Sequence, residues 1–254
     1  MKQTRVIAVL NQKGGVGKTT TTLNLVHGLS RKGYEVLAMD LDPQGQLTSS
    51  LGLMKRDIGG LEKALLNGTQ IAEVTYPVRE NLKLVPAGHG LSEIEDRSEG
   101  GSSRGMMLRN ILVDIKGQYD FIIIDCPPSS GLLVVNALFA VDEVIIPMTG
   151  DYLALQGLSH LMSTLRNFEK VLGHKYKEWI VLGRFQARRK LSQEVKGKLK
   201  EYFADNMLLT EITESVLLAE SPGFGKTIYE YRPSSRSAKE FESLVDDFII
   251  GRTH

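Results

Sequence analysis

The residues best suited to chemistry form one segment near the N-terminus, Lys13-Gly14-Gly15-Val16-Gly17-Lys18-Thr19-Thr20. Its end, Gly17-Lys18-Thr19, matches the phosphate-binding loop G-x-x-x-x-G-K-[ST], although Gln12 stands where that pattern has its first glycine. Backbone N–H groups in such a turn point at phosphate oxygens, and the helix that follows presents its positive N-terminal end to the same anion. The segment therefore predicts a site for the phosphates of a nucleotide.

The side chains of this loop have distinct expected roles. Lys18 is expected to contact the β- and γ-phosphates, and the Thr19 hydroxyl is expected to bind Mg²⁺. Thr20 can donate to the α-phosphate. Lys13-Gly14-Gly15 compensates for the missing glycine by placing small residues inside the loop and adding a second lysine. We therefore expect the chain to bind ATP together with Mg²⁺.

Three carboxylates follow apolar runs that are typical of buried strands. They are Asp40 and Asp42, in Asp40-Leu41-Asp42-Pro43-Gln44-Gly45, and Asp125, in Asp125-Cys126-Pro127-Pro128. Ligands of open α/β sheets bind at the carboxyl ends of the strands. We expect Asp125 to hold Mg²⁺ through water and Asp42 to orient the attacking water. Asp40 is expected to lie nearer the metal or to structure the loop, and Cys126 to be a small buried apolar residue.

The scaffold around these groups alternates short apolar runs with longer helical patterns. This alternation predicts an α/β P-loop fold with a mostly parallel twisted sheet and helices on both faces. Strands are predicted at Arg5–Leu10, Glu35–Asp40, Asn81–Pro86, Tyr119–Asp125, Glu143–Met148 and Trp179–Leu182. Helices are predicted at Lys18–Lys32, Arg104–Lys116, Ala154–Leu172, Leu191–Phe203 and Ser237–Ile250. Gly33 is expected to end the first helix, and Glu93–Ser103 to form a surface loop.

Composition limits the classes of protein that the chain can belong to. Its 254 residues are 42% hydrophobic and 24% charged, and no linker divides them, so we expect one domain over residues 1–254. A net charge of +1 excludes a global attraction to nucleic acid or membrane and leaves only local patches. The single cysteine and the lack of a signal peptide before the first strand favour a cytoplasmic protein.

Together these motifs resemble the ParA/Soj branch of the deviant Walker-A ATPases, the group that also contains MinD. The resemblance covers nearly the whole chain and rests first on residues 11–20, 40–45 and 125–129. Further matching segments are Ala154-Leu155-Gln156-Gly157-Leu158, Leu218-Ala219-Glu220-Ser221-Pro222 and Phe224-Gly225-Lys226.

The resemblance implies an ATPase that forms a homodimer in the ATP state and is released by hydrolysis. In this family the first lysine of the loop, here Lys13, reaches across the dimer to the partner's nucleotide, where its charge stabilises the transferring phosphoryl group. Such ATPases position DNA or another large cargo, usually with a ParB-like or other partner that stimulates hydrolysis. A nucleoid-associated protein that does not bind membrane is therefore expected.

The chain departs from its apparent relatives mildly at Gln46, a position that is commonly asparagine, and more strongly in one later segment. Members close to Soj commonly have Pro-Arg-Asn-Val-Arg where this chain has Thr213-Glu214-Ser215-Val216-Leu217. The proline and asparagine frame the adenine in relatives, so Thr213 and Ser215 are the expected base contacts here. The second arginine holds DNA in relatives, a contact that Leu217 cannot make.

A basic stretch nevertheless suggests DNA binding. Seven basic residues stand against the single acid Glu194 between residues 184 and 200: Arg184, Arg188, Arg189, Lys190, Lys196, Lys198 and Lys200. Arg188 falls where relatives carry a DNA-contacting arginine, and Arg189 and Lys190 follow it. We expect salt-sensitive binding without sequence preference, strengthened by dimerisation. The alternative is an ordinary solvated helix face.

Three other functions share parts of this pattern. A MinD-like membrane-cycling ATPase would end in a basic amphipathic helix, whereas Asp246 and Asp247 make the end of this chain acidic. A reductase like the nitrogenase iron protein is excluded, because a cluster shared between two subunits needs two cysteine ligands per chain. A metabolic ligase of the same superfamily is a further alternative that the sequence does not exclude. The sequence does not identify the cargo or the stimulating partner.

Overall fold

Residues 3–53, 59–96 and 102–254 are described by a computed structural model of the chain. The strands are β1 (Arg5–Val9), β2 (Val36–Asp40), β3 (Tyr76–Arg79), β4 (Leu82–Val85), β5 (Phe121–Asp125), β6 (Glu143–Thr149) and β7 (Lys177–Gly183). The α-helices are α1 (Lys18–Arg31), α2 (Gln46–Ser50), α3 (Leu61–Asn67), α4 (Leu91–Asp96), α5 (Met107–Val113), α6 (Leu132–Ala140), α7 (Tyr152–Leu172), α8 (Lys190–Phe203), α9 (Val216–Glu220), α10 (Ile228–Tyr231) and α11 (Arg236–Ile250). Short 3-10 helices lie at Ile71–Val74, Ser102–Met106, Ala204–Asn206 and Ser221–Phe224.

The strands of the described chain form one sheet in the order β3-β4-β2-β5-β1-β6-β7. Only β3 runs antiparallel to its neighbour, which confirms the predicted α/β class with a mostly parallel sheet. The strand β3 was not predicted; it is short, contains Pro77 and lies at the sheet edge, where a missing N–H is tolerated. The helix predicted at Arg104–Lys116 is divided between the 3-10 helix Ser102–Met106 and α5.

Both faces of the sheet are covered by helices. Val6 and Ala8 of β1 belong to the core under α3, α5, α6, α7 and α8, whereas Ile7 and Val9 belong to the core under α1, α2, α9, α10 and α11. Because alternate residues of each central strand enter different cores, the strands are apolar without interruption. Helix α1 ends as expected, with Gly33 in the left-handed region at φ 85°.

The prediction of a surface loop at Glu93–Ser103 is wrong for the first residues of this segment, which the structure describes as helical. Residues 93–96 belong to α4, because Leu91 and Ile94, one helical turn apart, are fully buried in the core. Residues 97–101 lie outside the described residues. Across the described ranges, no helix is long and apolar enough to cross a membrane.

The carboxyl ends of the central strands meet at one edge of the sheet. Strand β5 lies between β1 and β2, and Asp125 at its end is in register with Val9 on one side and with Asp40 on the other. The loop after β1 and the carboxylates after β2 and β5 are therefore neighbours, as the sequence predicted.

Candidate nucleotide site and basic surface

The phosphate loop is an open turn between β1 and α1. Gly15 and Gly17 have φ angles of 74° and 94°, which a residue with a side chain rarely adopts. A Cβ added to Gly14, Gly15 or Gly17 would meet no atom within 4 Å, so these glycines border open space. Helix α1 begins at Lys18 and directs its N-terminal end at the same space.

The loop borders a cavity of about 730 Å³, within the size range of small-molecule sites. The whole run from Gly14 to Thr20 lines this cavity, together with Asp42 from the segment after β2. Thr213 and Ser215 line it as well. The structure therefore brings the phosphate loop, one of the three carboxylates and the expected base contacts to a single cavity.

The Thr19 hydroxyl donates to Asp125 Oδ2 at 2.7 Å, and the Thr22 hydroxyl donates to Asp125 Oδ1 at 2.9 Å. Asp125 is fully buried, and burial, reinforced by the neighbouring Asp40, raises its pKa to about 7. Burial lowers the pKa of Lys18, while Asp125 and Asp42 oppose that shift. A buried carboxylate beside a hydroxyl and an ammonium group is a site that a divalent cation and a phosphate would complete, and oxygen donors suit Mg²⁺.

Asp40 and Asp42 are held differently. Asp40 is fully buried, and its Oδ2 accepts hydrogen bonds from the Thr48 amide at 2.8 Å and the Thr48 hydroxyl at 2.6 Å. These contacts favour the loop-structuring role of the two that were predicted for Asp40. Burial raises its pKa to about 6. Asp42 accepts from the Gln44 amide through Oδ1 at 2.9 Å and borders the cavity, where a water-orienting base would have to be.

Lys13 does not point at the phosphate space of its own chain. Its Nζ donates to both carboxylate oxygens of Asp151, at 2.8 and 2.9 Å, in a half-exposed ion pair. Asp151 is also the N-cap of α7 and accepts from the Ala154 amide. Although partial burial opposes ionisation, hydrogen bonds from Lys13 and Thr149 lower the pKa of Asp151. Lys13 is thus held at the surface by a contact that solvent can replace.

The expected base contacts are only partly available to a ligand. The Thr213 amide donates to Glu240 Oε2 at 2.9 Å, and its hydroxyl donates to Glu240 Oε1. Arg236 also donates to Glu240 Oε1, at 2.6 Å. The donors of Thr213 are therefore occupied, whereas Ser215 borders the cavity at the N-cap of α9.

The basic stretch is less uniform than its sequence suggests. Arg184 pairs with Glu214 at 2.9 Å, and Lys196 pairs with Glu211, so acids from a later segment neutralise two of the seven cations. Arg188, Arg189 and Lys190 are exposed where α8 begins. Cations are unfavourable at a helix N-terminus, so these three residues are not explained by the stability of α8.

Several polar residues of the site were not singled out from the sequence. Thr22 could have been, because it lies one helical turn after Thr19 on α1 and faces the same carboxylate. The other three residues could not be identified, because the neighbouring sequence does not indicate that they belong to the site. The fold brings Thr48 to Asp40 and Asp151 to Lys13. It also brings Glu240 to Thr213.

The sequence matches known proteins over most of its length. A family described as an AAA domain matches residues 4–177. The sporulation initiation inhibitor protein Soj of Bacillus subtilis (strain 168) is 41% identical over 246 residues, which cover 96% of this chain and 97% of that protein. The chromosome partitioning protein ParA of Myxococcus xanthus (strain DK1622) is 39% identical over 243 residues, covering 94% of this chain and 86% of that protein.

A solved structure extends these similarities to the fold. Cobyrinic acid a,c-diamide synthase from Mycobacterium smegmatis, with bound ADP and magnesium, superposes with a TM-score of 0.82 at 29% identity. The match covers 97% of this chain and 94% of that one. The same synthase has also been solved with an ATP analogue and magnesium.

Proposed function

The chain belongs to the ParA/Soj family of ATPases, and we propose that it is a partition ATPase that dimerises on Mg-ATP and positions DNA or another large cargo on nucleoid DNA. Hydrolysis to ADP and phosphate, stimulated by a ParB-like or other partner, would return it to the monomer. The observation that carries the proposal is the cavity lined by Lys18, Thr19 and Asp42, in which Thr19 is hydrogen-bonded to the fully buried Asp125 behind it.

Nucleotide binding follows from the loop itself. Its backbone N–H groups and the N-terminal end of α1 bind the phosphates, and the Lys18 ammonium group neutralises the charge of the β- and γ-phosphates. Thr19 and Asp125 would hold Mg²⁺, which neutralises charge on the β- and γ-phosphate oxygens when it is bound. The Thr19–Asp125 hydrogen bond of 2.7 Å holds the two oxygen groups next to each other.

Hydrolysis requires a group that orients water against the γ-phosphate. Asp42 is the candidate because it borders the cavity, and its Oδ1 bond to the Gln44 amide holds the carboxylate in place. Asp40 anchors the chain after this segment by accepting hydrogen bonds from Thr48 of α2. Asp42 would thus orient the water, and Asp40 would stabilise the segment that carries it.

Dimerisation would use the second lysine of the loop. The Lys13 ammonium group is half-exposed and forms a surface ion pair with Asp151, so it can leave that contact at little cost. In the proposed ATP dimer it would reach the partner's nucleotide, where a cation stabilises the charge of the transferring phosphoryl group. ATP would then hold the two protomers together, and its hydrolysis would release them.

DNA binding would use the start of α8. Arg188, Arg189 and Lys190 are exposed there, next to the N-terminal end of a 14-residue helix, and phosphate binds favourably at such an end. The contacts would be to DNA phosphates and independent of sequence. A cytoplasmic, nucleoid-associated location follows from this part of the proposal.

The observations favour this function over the other two. A MinD-like membrane helix would need a free apolar face, but Phe241, Val245 and Phe248 of α11 are fully buried in the core. A ligase like the M. smegmatis synthase is a second candidate because of the shared fold. The greater identity to Soj and ParA, over nearly the whole chain, favours partition.

The proposal is tested by ATP turnover and by a mobility shift on random duplex DNA. We expect Mg²⁺-dependent phosphate release, and a shift with a non-hydrolysable ATP analogue that is absent with ADP. The shift should weaken steeply between about 50 and about 200 mM salt. Turnover without any nucleotide-dependent shift at low salt would remove nucleoid DNA from the proposal, and lack of turnover would remove the ATPase.

A further inference from the structure

Arg184 follows directly after β7 and borders the nucleotide cavity. Its Nη1 donates to the carbonyl oxygen of Gly15 in the phosphate loop at 3.2 Å, and its Nη2 donates to Glu214 Oε1 at 2.9 Å. Glu214 lies between the expected base contacts Thr213 and Ser215 and also borders the cavity. One guanidinium group therefore connects the phosphate loop to the segment expected to hold the base.

The backbone on both sides of Arg184 is fixed. Gly183 is in register with Thr149 of the neighbouring strand. The Phe185 amide donates to the Ile212 carbonyl at 3.0 Å, and the Phe185 carbonyl accepts from the Glu214 amide at 3.2 Å. Between these anchors Arg184 has a φ of 47°, in the left-handed region that residues with side chains seldom adopt. Such strain occurs preferentially at functional positions, and here it accompanies a guanidinium group at the cavity.

The Arg184–Glu214 pair is reversible. Both side chains are more than a third exposed, so solvent screens the pair and it contributes little to the stability of the fold. Hydrogen bonds from Arg184 and Gln186 lower the pKa of Glu214, which keeps the carboxylate ionised at neutral pH. The pair can therefore open and close without disturbing the core.

We propose that Arg184 and Glu214 form a clasp across the cavity and that this clasp sets how long the nucleotide stays bound. The inference rests on the nucleotide site proposed above and adds two positioning residues to it. When the clasp is closed, segment 213–215 is held against the phosphate loop. When it opens, the Arg184 contact between that segment and the loop is lost, and the nucleotide can leave.

The clasp also separates Arg184 from the basic surface at α8. The charge of Arg184 is already balanced by Glu214, whereas Arg188, Arg189 and Lys190 are exposed. Removing Arg184 should therefore change nucleotide release and leave the salt dependence of DNA binding as it is.

Dissociation of ADP carrying a fluorescent label on its ribose, followed by stopped flow with Mg²⁺, tests the clasp. Arg184→Ala and Glu214→Gln should each speed dissociation about tenfold, because each removes the charge-assisted contact between the two residues. The double variant should dissociate no faster than either single variant, because the two residues act as one unit. Arg109→Ala, which removes an exposed arginine from α5, is the control and should release ADP like the unaltered chain.

The melting temperature without nucleotide should stay unchanged in all four variants, which distinguishes a clasp from a structural role. Arg184→Lys, which keeps the charge, should fall between Arg184→Ala and the unaltered chain. An unchanged release rate in Arg184→Ala, or additive effects in the double variant, would overturn the clasp and leave the proposed function standing. Failure of the unaltered chain to bind the labelled ADP would overturn both.

Discussion

The carboxyl edge of the sheet and the N-terminal end of α8 both concentrate charge, but they hold it in opposite ways. Asp40 and Asp125 at the sheet edge are fully buried, and hydroxyl and amide groups donate to their carboxylates. At α8 the cations are exposed, and Lys190 reaches Glu194 only at 3.8 Å. The first region fixes each group by several hydrogen bonds, whereas the second leaves its groups exposed to solvent.

This difference determines how each region should respond to change. A buried charge with one set of partners cannot be replaced without leaving an unpaired group, so single substitutions at the sheet edge should have large effects. Exposed cations each contribute a similar part of the affinity for DNA, and salt screens all of them. Single substitutions at α8 should therefore have moderate effects that depend on ionic strength. The predictions below follow that order.

Lys18→Ala should have the largest effect. It removes the ammonium group that is proposed to contact the β- and γ-phosphates, and we expect ATP affinity to fall by at least about a hundredfold. Isothermal titration calorimetry measures the affinity, with Lys170→Ala, an exposed lysine of α7, as the control. Unchanged affinity in Lys18→Ala would mean that the loop is not the nucleotide site.

Asp42→Ala should keep ATP binding but lower the hydrolysis rate by roughly a hundredfold or more, because the attacking water loses its orienting carboxylate. Phosphate release under saturating ATP measures this. Asp42→Asn keeps an oxygen that can accept a hydrogen bond from the Gln44 amide, so the segment should fold normally in this variant. Its hydrolysis rate should be as low as that of Asp42→Ala, because the charge is lost. Normal turnover in either variant would show that Asp42 does not orient the water.

Arg188→Glu should weaken DNA binding by about tenfold at low salt and leave ATP affinity unchanged. Each phosphate contact contributes about 0.9 to the slope of log affinity against log salt concentration, so the slope should become shallower. Arg109→Glu on α5 makes the same change of charge elsewhere and should bind DNA normally. If both variants lose affinity equally, the DNA contacts are not localised at α8.

The smallest effect concerns His27 on α1. Burial, opposed by Glu230 and reinforced by Arg79 and Arg31, lowers its pKa to about 4. As the pH falls below 6.5, the unfolded chain binds a proton at this histidine while the folded chain does not until about pH 4. The free energy of unfolding therefore decreases over this range, by about 1–2 kcal/mol at pH 5. The difference in unfolding free energy between the unaltered chain and His27→Gln should therefore change between pH 7 and pH 5. A constant difference would contradict the burial of an uncharged His27.

Asp40 and Asp125 act with the opposite sign over the same range. Their folded-state pKa values are raised to about 6 and about 7, so each contributes stability at low pH that is lost as the pH rises through those values. Comparison with His27→Gln cancels this contribution, since both carboxylates are present in each protein.

The two regions also differ in how much of them the sequence predicts. The phosphate loop is a local pattern whose glycines and lysine act through neighbouring backbone, so its residues could be named without a fold. Asp125 could be found because a strand end fixes its position. The pairing of Lys196 with Glu211 and of Arg184 with Glu214 could not, since only the crossing of distant segments creates it. A count of charges along the chain therefore overstates the basic surface.

Helix α4 also could not be predicted from its local sequence. Its polar residues suggest a loop, yet two apolar residues one turn apart are enough to anchor it once a core is present. The ion pair of Lys13 with Asp151 likewise depends on the approach of α7 to the phosphate loop, which no local pattern encodes.

Molar mass in solution, measured by light scattering after size-exclusion chromatography, tests the central claim that ATP joins two protomers through Lys13. We predict 28.1 kDa with ADP and about twice that mass with a non-hydrolysable ATP analogue. Lys13→Ala should stay monomeric with the analogue although it binds nucleotide. Asp151→Asn, which releases Lys13 from its ion pair, should still dimerise. A monomer in every state, or a Lys13→Ala chain that dimerises like the unaltered one, would contradict the account.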